Sequence, residues 1–334
     1  MKNKKNPLLD IKNLNILYST KNGEAKAVRD ASICISKGEI VGIAGESGSG
    51  KSTLAYAAAR LLDKSAKVTS GEITFESTNI LKLSEIQMQS IRGAKIGMIF
   101  QNPASSFNPL YKIGNQIIEV LTCHVKITKK QAYEKAANML KTAGLEDAKY
   151  IMKQYPHQLS GGMLQRAMIA MALMCEPKLL IADEPTTALD ASVQAQILKL
   201  LKDINANTNM SVMLITHNLL AAAKICDRIA IMYGGRIVET GTKDEIFNSP
   251  SHPYTKGLID CMPDINSQER YLKTMQGEPA DIISVFKGCE FAQRCPECMK
   301  ICAKHTPPVI EISQNHFASC WMHYKAEVKI SEQC

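Results

Sequence analysis

The chain has 334 residues, 45% of them hydrophobic and 22% charged, which leaves enough apolar surface for a sizeable core and excludes wholesale disorder. Forty Lys and Arg against 32 Asp and Glu give a net charge of +8, suited to an anionic membrane surface or to anionic ligands. Only 5% of residues are aromatic and Trp321 is the lone tryptophan, which argues against a stacking surface for single-stranded nucleic acid.

The lysines of Met1–Asn6 are followed by no apolar stretch, because Pro7, Leu8 and Leu9 run straight into Asp10. The longest apolar run, Ala167–Cys175, is too short to span a bilayer, so a cytosolic or membrane-peripheral chain is expected. Ile11–Tyr18 alternates apolar and polar residues as a half-buried strand does. Ala31–Ile35 and Glu39–Ala44 read as further strands, the second leading through a glycine-rich loop into a helix over Lys51–Leu62. Residues 80–160 are patterned for helices, with breaks at Pro103 and Pro109. Thr128 and Gln131 form a capping box, Ala132, Ala136, Leu140 and Ala143 follow at helical spacing, and Gly144 supplies the stop. Then come a helix over Gly161–Cys175, a strand over Lys178–Ala182, a helix over Ala191–Ile204 and a strand over Ser211–Ile215. Ile229–Tyr233 and Arg236–Glu239 flank Gly234-Gly235 as a hairpin. Strands alternating with helices predict an α/β fold with a mainly parallel sheet covered on both faces. Beyond residue 250 the chain is richer in Pro, Cys and His and loses its periodicity, which predicts a domain boundary there.

Three motifs carry chemistry. Gly45–Ser52 fits G-x-x-x-x-G-K-[ST] between an apolar strand and a helix. Gly45, Gly48 and Gly50, with Ser47, Ser49 and Thr53, form a cradle whose N–H groups face phosphate oxygens. Lys51 reaches the β and γ phosphates, and the Ser52 hydroxyl ligates Mg²⁺. Leu179–Glu184 is an apolar strand that delivers two carboxylates at its C-terminal end. Asp183 is expected to hold Mg²⁺, directly or through water, and Glu184 is placed to orient and polarise the attacking water. In Leu159–Arg166, Ser160 is an N-cap, while Gly161 and Gly162 leave the first helical N–H groups open to an anion.

With these motifs the chain resembles the ATP-binding subunits of ABC transporters. The resemblance implies a P-loop NTPase cassette core with a β-rich lobe and a helical subdomain. It also implies an ATPase in which the Ser160 helix of one subunit caps the ATP held by its partner's phosphate loop. Residues weak on their own gain roles from it. Tyr18 stacks on adenine, and Gln101 joins the Mg²⁺ ligands and senses the membrane subunits. Ala188, Leu189 and Asp190 match the D-loop, with Asp190 at the nucleotide. His217 contacts the γ-phosphate and acts with Glu184 in hydrolysis. Leu164 departs from the pattern, where a charged or polar residue is usual; it touches no phosphate-contacting position, and whether it softens ATPase activity stays open.

Five of the eleven cysteines, Cys289, Cys295, Cys298, Cys302 and Cys320, fall within 32 residues, a cluster that reads as a metal or iron–sulfur site in a cytosolic chain. His252 reads as a structural turn residue, because no cysteine or second histidine stands at ligand spacing from it. Ile246–Thr255 and the segment from Gly288 to Cys320 resemble the C-terminal part of oligopeptide and dipeptide permease ATPases, specifically the D-type subunit. That resemblance selects Cys289, Cys295, Cys302 and Cys320 as ligands of a [4Fe–4S] cluster, with Zn²⁺ the alternative because Cys295 and Cys298 form a zinc-knuckle half. The expected organisation is an ATPase domain over 8–250 with a helical insert at about 83–160, then a cysteine-containing domain over 251–330. The implied setting is the cytoplasmic face of the cell membrane. The implied partners are two integral-membrane permease subunits, a second and non-identical ATPase chain, and an extracellular peptide-binding protein, with no nucleic acid. Nickel or other metal chelates stay open as cargo, and a soluble non-transport ABC ATPase stays open as the rival function.

Overall fold

The computed structural model describes residues 7–21, 23–187, 189–262, 274–281 and 287–324. The lysine-rich start and Ala188 of the D-loop pattern lie outside them. In chain order, β1 (Leu9–Thr20), β2 (Gly23–Ile35) and β3 (Ile40–Ala44) lead to α1 (Lys51–Ala58), β4 (Ala66–Phe75) and β5 (Thr78–Asn79). Next come α2 (Glu85–Gln89), β6 (Ile96–Ile99), α3 (Pro103–Ser106), α4 (Ile113–His124), α5 (Lys129–Thr142), α6 (Ala148–Ile151), α7 (Gly161–Leu173) and β7 (Leu179–Asp183). The chain continues with α8 (Ala191–Thr208), β8 (Ser211–Thr216), α9 (Leu219–Ile225), β9 (Arg228–Tyr233) and β10 (Arg236–Thr242). It closes with α10 (Lys243–Asn248), α11 (Pro253–Asp260), β11 (Ile310–Ser313) and β12 (His316–Ala318). No helix among the described residues is long and apolar enough to cross a membrane.

The elements form two compact units. The first comprises Met1–Leu8, Ile35–Ile40 and Phe75–Thr216. Its β6, β7 and β8 run parallel, with Ile96 opposite Leu179 and Leu179 opposite Ser211. β7 and β8 are buried along their whole length, as strands covered on both faces must be. The stretch expected as a helical insert carries α4 to α6. Thr128 and Gln131 cap α5 reciprocally, and Ala132, Ala136 and Leu140 give it a fully buried face. β6 is a strand inside the stretch expected to be helical. It has only four residues, and a Cβ on Gly97 would lie 2.6 Å from the Ala172 carbonyl oxygen, so glycine here lets α7 approach the strand closely.

The second unit comprises Leu9–Cys34, Val41–Thr74 and His217–Cys334. Within it β1 lies between β2 and β4, β3 runs parallel to β9, and β9 pairs antiparallel with β10. The turn between β9 and β10 uses Gly234 at φ 52° and Gly235 at φ 85°, the left-handed pair that a two-residue hairpin requires. β12 adds antiparallel to β10, with Glu239 opposite Ala318, and β11 adds to β12. The segment after residue 250 is therefore built onto β10. α1 ends earlier than expected, at Ala58, because Arg60 turns left-handed at φ 53°.

Candidate functional site

The phosphate loop lies in the second unit. A Cβ on Gly45 would meet the Met232 carbonyl oxygen at 2.1 Å, and one on Gly50 would meet the Ala27 carbonyl oxygen at 2.2 Å. Gly48, at φ 77°, has nothing within 4 Å of its Cβ position, so that side of the loop is open. Gly50, at φ 99°, makes no side-chain cap to α1, and no acidic residue sits in the helix's first turn. The helix start is thus left to a ligand's negative charge. Lys51 is buried, and its ammonium donates to the carbonyl oxygens of Gly45 (2.8 Å) and Glu46 (2.7 Å) and to the Ser49 hydroxyl (3.3 Å). Tyr18 is half-buried on β1, and His217 is exposed in the same unit.

The carboxylates lie in the first unit. Asp183 ends the buried β7 and is 1% exposed. Glu184 follows at φ 46°, with its N–H donating to the Ile215 carbonyl at 3.0 Å. Its left-handed φ is a sparsely populated conformation for a residue other than glycine. Glu184 Oε2 accepts from Gln101 Nε2 at 3.1 Å and from the Thr187 hydroxyl at 2.8 Å. Two residues set 83 positions apart are thereby brought into direct contact. Ser160 caps α7 by accepting from the Met163 N–H at 3.3 Å, and both Ser160 and Gly161 are exposed. Leu164 is 6% exposed and packs into the interior. Asp190 caps α8, accepting from the Val193 N–H at 2.9 Å.

The cysteine segment belongs to the second unit. Cys289, Cys295, Cys302 and Cys320 line one small pocket together with His252, Phe291 and Trp321. Cys298 is exposed and outside that lining. Burial pushes the Cys289 thiol up to about 12 and the Cys295 thiol up to about 11, and it raises Cys320 as well. These sulfurs are therefore neutral thiols at pH 7, and a metal would have to displace their protons. No group of three or more His, Cys, Asp or Glu side chains among the described residues is arranged to hold a metal ion. The expected four-thiolate site is thus not formed as a metal centre among the described residues, although its four cysteines line one pocket. His252, expected to be a structural turn residue, caps α11 and also lines the cysteine pocket. Its Nδ1 accepts from the Tyr254 N–H at 3.1 Å to cap α11, and burial pushes its pKa down to about 4.

Sequence reading did not find the polar hub at Glu239. This carboxylate accepts from the N–H groups of Ser251 (2.7 Å) and His252 (2.9 Å) and meets His316 Nε2 at 2.7 Å. Burial raises its pKa, but these bonds outweigh burial and hold it below the usual carboxylate range. The hub joins β10 to α11 and β12, and no local pattern signals it. Sequence reading also missed the contact of Glu46, inside the phosphate loop, with Arg294, which stands beside Cys295.

Residues 28–187 match the ABC transporter family, and residues 238–302 match the family described as oligopeptide/dipeptide transporter, C-terminal region. The dipeptide transport ATP-binding protein DppD of Bacillus subtilis is 46% identical over 316 residues, which cover 94% of each chain. The oligopeptide transport ATP-binding protein OppD of Escherichia coli is 43% identical, covering 94% of this chain and 93% of its own. Among solved structures, the ATP-binding cassette MJ0796 bound to ADP and Pi matches with a TM-score of 0.64 and 30% identity, covering 70% of this chain and 98% of its own. The phosphate loop, the paired carboxylates and the Ser160 helix start thus stand in a chain that belongs to the ATP-binding subunits of ABC transporters, in their oligopeptide/dipeptide branch.

Proposed function

We propose that this ATPase powers the import of dipeptides or oligopeptides from the cytoplasmic face of the membrane. It works there with two permease subunits, a related but non-identical ATPase chain and an extracellular peptide-binding protein. The reading is supported by relatives named for dipeptide and oligopeptide transport at 43–46% identity across nearly the whole chain. The observation that carries the hydrolytic chemistry is the Glu184 carboxylate, held by Gln101 and Thr187 at the end of a buried strand. A fixed carboxylate there can orient a water and accept its proton.

The remaining roles follow from donor chemistry. Lys51 and the N–H groups of residues 45–53 hold the β and γ phosphates, and Tyr18 stacks on the base. The Asp183 carboxylate, the Ser52 hydroxyl and the Gln101 amide oxygen are hard oxygen donors of the kind Mg²⁺ takes. Bound Mg²⁺ neutralises phosphate charge. His217 donates to the γ-phosphate. Ser160, Gly161, Gly162 and Asp190 close on the nucleotide of the partner subunit. Cys289, Cys295, Cys302 and Cys320 share one pocket and carry the thiol donors that a [4Fe–4S] cluster or, alternatively, Zn²⁺ takes, so a bound group would have to draw them together from the arrangement described above.

In the reconstituted transporter, Glu184→Gln should keep ATP binding while turnover falls by about 10²–10⁴-fold. Normal turnover would remove Glu184 from hydrolysis. Peptides should stimulate the wild-type ATPase; stimulation by nickel chelates instead would reassign the cargo, and failure to co-purify with permeases would favour a soluble ATPase. Anaerobically purified protein should be brown and contain iron and sulfide. Ser at any of the four pocket cysteines should bleach it, and Cys298→Ser should not. Colourless protein carrying zinc would select the alternative metal.

A further inference from the structure

The cysteine segment reaches the phosphate loop. Arg294 stands between Cys289 and Cys295 in the sequence, and its guanidinium grips the Glu46 carboxylate in a fork: Nη1 to Oε2 at 2.8 Å and Nη2 to Oε1 at 3.1 Å. Only 5% of the Arg294 side chain is exposed. Its Nε donates to the Gln276 carbonyl at 3.1 Å, its Nη1 also reaches the Tyr233 hydroxyl at 3.3 Å, and its Cζ lies 5.7 Å from the centre of the Tyr233 ring. Phe291, from the same segment, packs edge-on against Tyr233 and tilted against Tyr254, with ring centres 5.2 and 5.3 Å apart. Glu46 is held at two further points. Its N–H donates to the Tyr254 hydroxyl at 3.0 Å, and its carbonyl accepts from the Lys51 ammonium at 2.7 Å.

We propose that Arg294 is a positioning residue for ATP: it neutralises Glu46 and fixes it, so that the loop presents its N–H groups and Lys51 to the phosphates. A carboxylate inside a loop that receives a triphosphate repels its ligand unless a cation cancels it. A guanidinium does more than cancel the charge. Two parallel N–H···O bonds set the plane of the carboxylate as well as its distance, and the carboxylate is one residue from Gly45, where the loop begins. The segment after residue 250 is thereby part of the nucleotide site. This inference rests on the ATPase function and asks nothing of a metal in the cysteine pocket.

The test uses the full chain assembled with its transporter partners, with MgATP titrations, steady-state ATPase assays and thermal melts on each variant. Arg294→Ala should raise KM for ATP about tenfold, the loss expected for a charge-assisted pair, while kcat changes by less than about threefold. Adding Glu46→Gln to Arg294→Ala should bring KM back to within about threefold of wild type, because the uncompensated charge is gone. A purely structural role would not give a rescue that depends on charge. Wild-type KM in a folded Arg294→Ala protein overturns the proposal, and so does a double variant no better than Arg294→Ala alone. If Arg294→Ala does not fold, Arg294→Lys carries the test. It keeps the charge and loses the fork, so a KM about threefold higher at an unchanged melting temperature supports the proposal, and an unchanged KM overturns it. A wild-type assembly that fails to bind MgATP would instead overturn the ATPase function itself.

Discussion

α1 and α7 both begin at a glycine-rich turn that reads as a phosphate cradle, and the two turns use glycine differently. At α1 the fold itself demands it. Gly50 adopts φ 99°, and any Cβ there would collide with the Ala27 carbonyl oxygen at 2.2 Å. At α7 neither Gly161 nor Gly162 has a positive φ, and their Cβ positions have nearest neighbours at 3.9 Å (Leu189) and 3.4 Å (Val193), ordinary contact distances. Alanine would fit both places and would favour the helix by up to about 1 kcal/mol. The α1 glycines therefore serve this subunit's own packing as well as its ligand. Nothing within the described subunit requires the α7 glycines, which suits the proposed role of this helix start at a partner's nucleotide.

The largest effect that sharpens this contrast is expected at Ser160. Ser160→Arg should lower ATP turnover of the assembled transporter by about 100-fold, on the order of losing one preorganised contact to developing charge. Its cost in stability should stay near the roughly 1 kcal/mol of a lost N-cap. Gly161→Ala should cut turnover by about tenfold while the melting temperature holds or rises. Turnover and melting curves measured on the same preparations check both variants. An unimpaired Gly161→Ala transporter would break the contrast, because the α7 glycines would then serve nothing outside the chain.

Gly50→Ala is the converse. Left-handed strain plus collision with a backbone carbonyl should cost about 3 kcal/mol and lower the melting temperature by about 6–10 °C even without nucleotide. Unchanged melting of Gly50→Ala would show that the loop can relax and that its glycine is kept for the phosphate alone.

What could be read from the sequence divides along the same line between local and distant. The phosphate loop, the Thr128–Gln131 capping box and the Gly234-Gly235 turn are written in adjacent residues whose backbone needs are specific. β6 escaped because Ile96 to Ile99 is too short for periodicity to separate strand from helix. β11 and β12 escaped because their place is set by β10, more than 60 residues earlier, through pairs such as Glu239 and Ala318. The Glu46–Arg294 fork spans 248 positions and carries no pattern at either end. Leu164 shows the limit at a single residue. Its departure from the family pattern was visible, but its burial within α7, and hence its packing role, was not.

Asp190 offers the smallest and most discriminating effect, because two roles coincide in it. It caps α8 through the Val193 N–H, a role that asparagine fills equally well and alanine does not. The family role at the partner's nucleotide would use its charge. Asp190→Ala should cost about 1 kcal/mol, seen as a melting temperature lower by about 2–4 °C, together with a fall in turnover. Asp190→Asn should restore the melting temperature, since the amide oxygen still accepts from the helix N–H. Turnover should nevertheless stay about threefold below wild type if the proposed role at the partner's nucleotide holds, because that role uses the carboxylate's charge. Melting and ATPase assays on the assembled transporter separate the outcomes. Full turnover in Asp190→Asn would reduce Asp190 to a helix cap, and α8 would then join α1 as a helix start explained within the subunit, leaving α7 as the start whose residues wait on a partner.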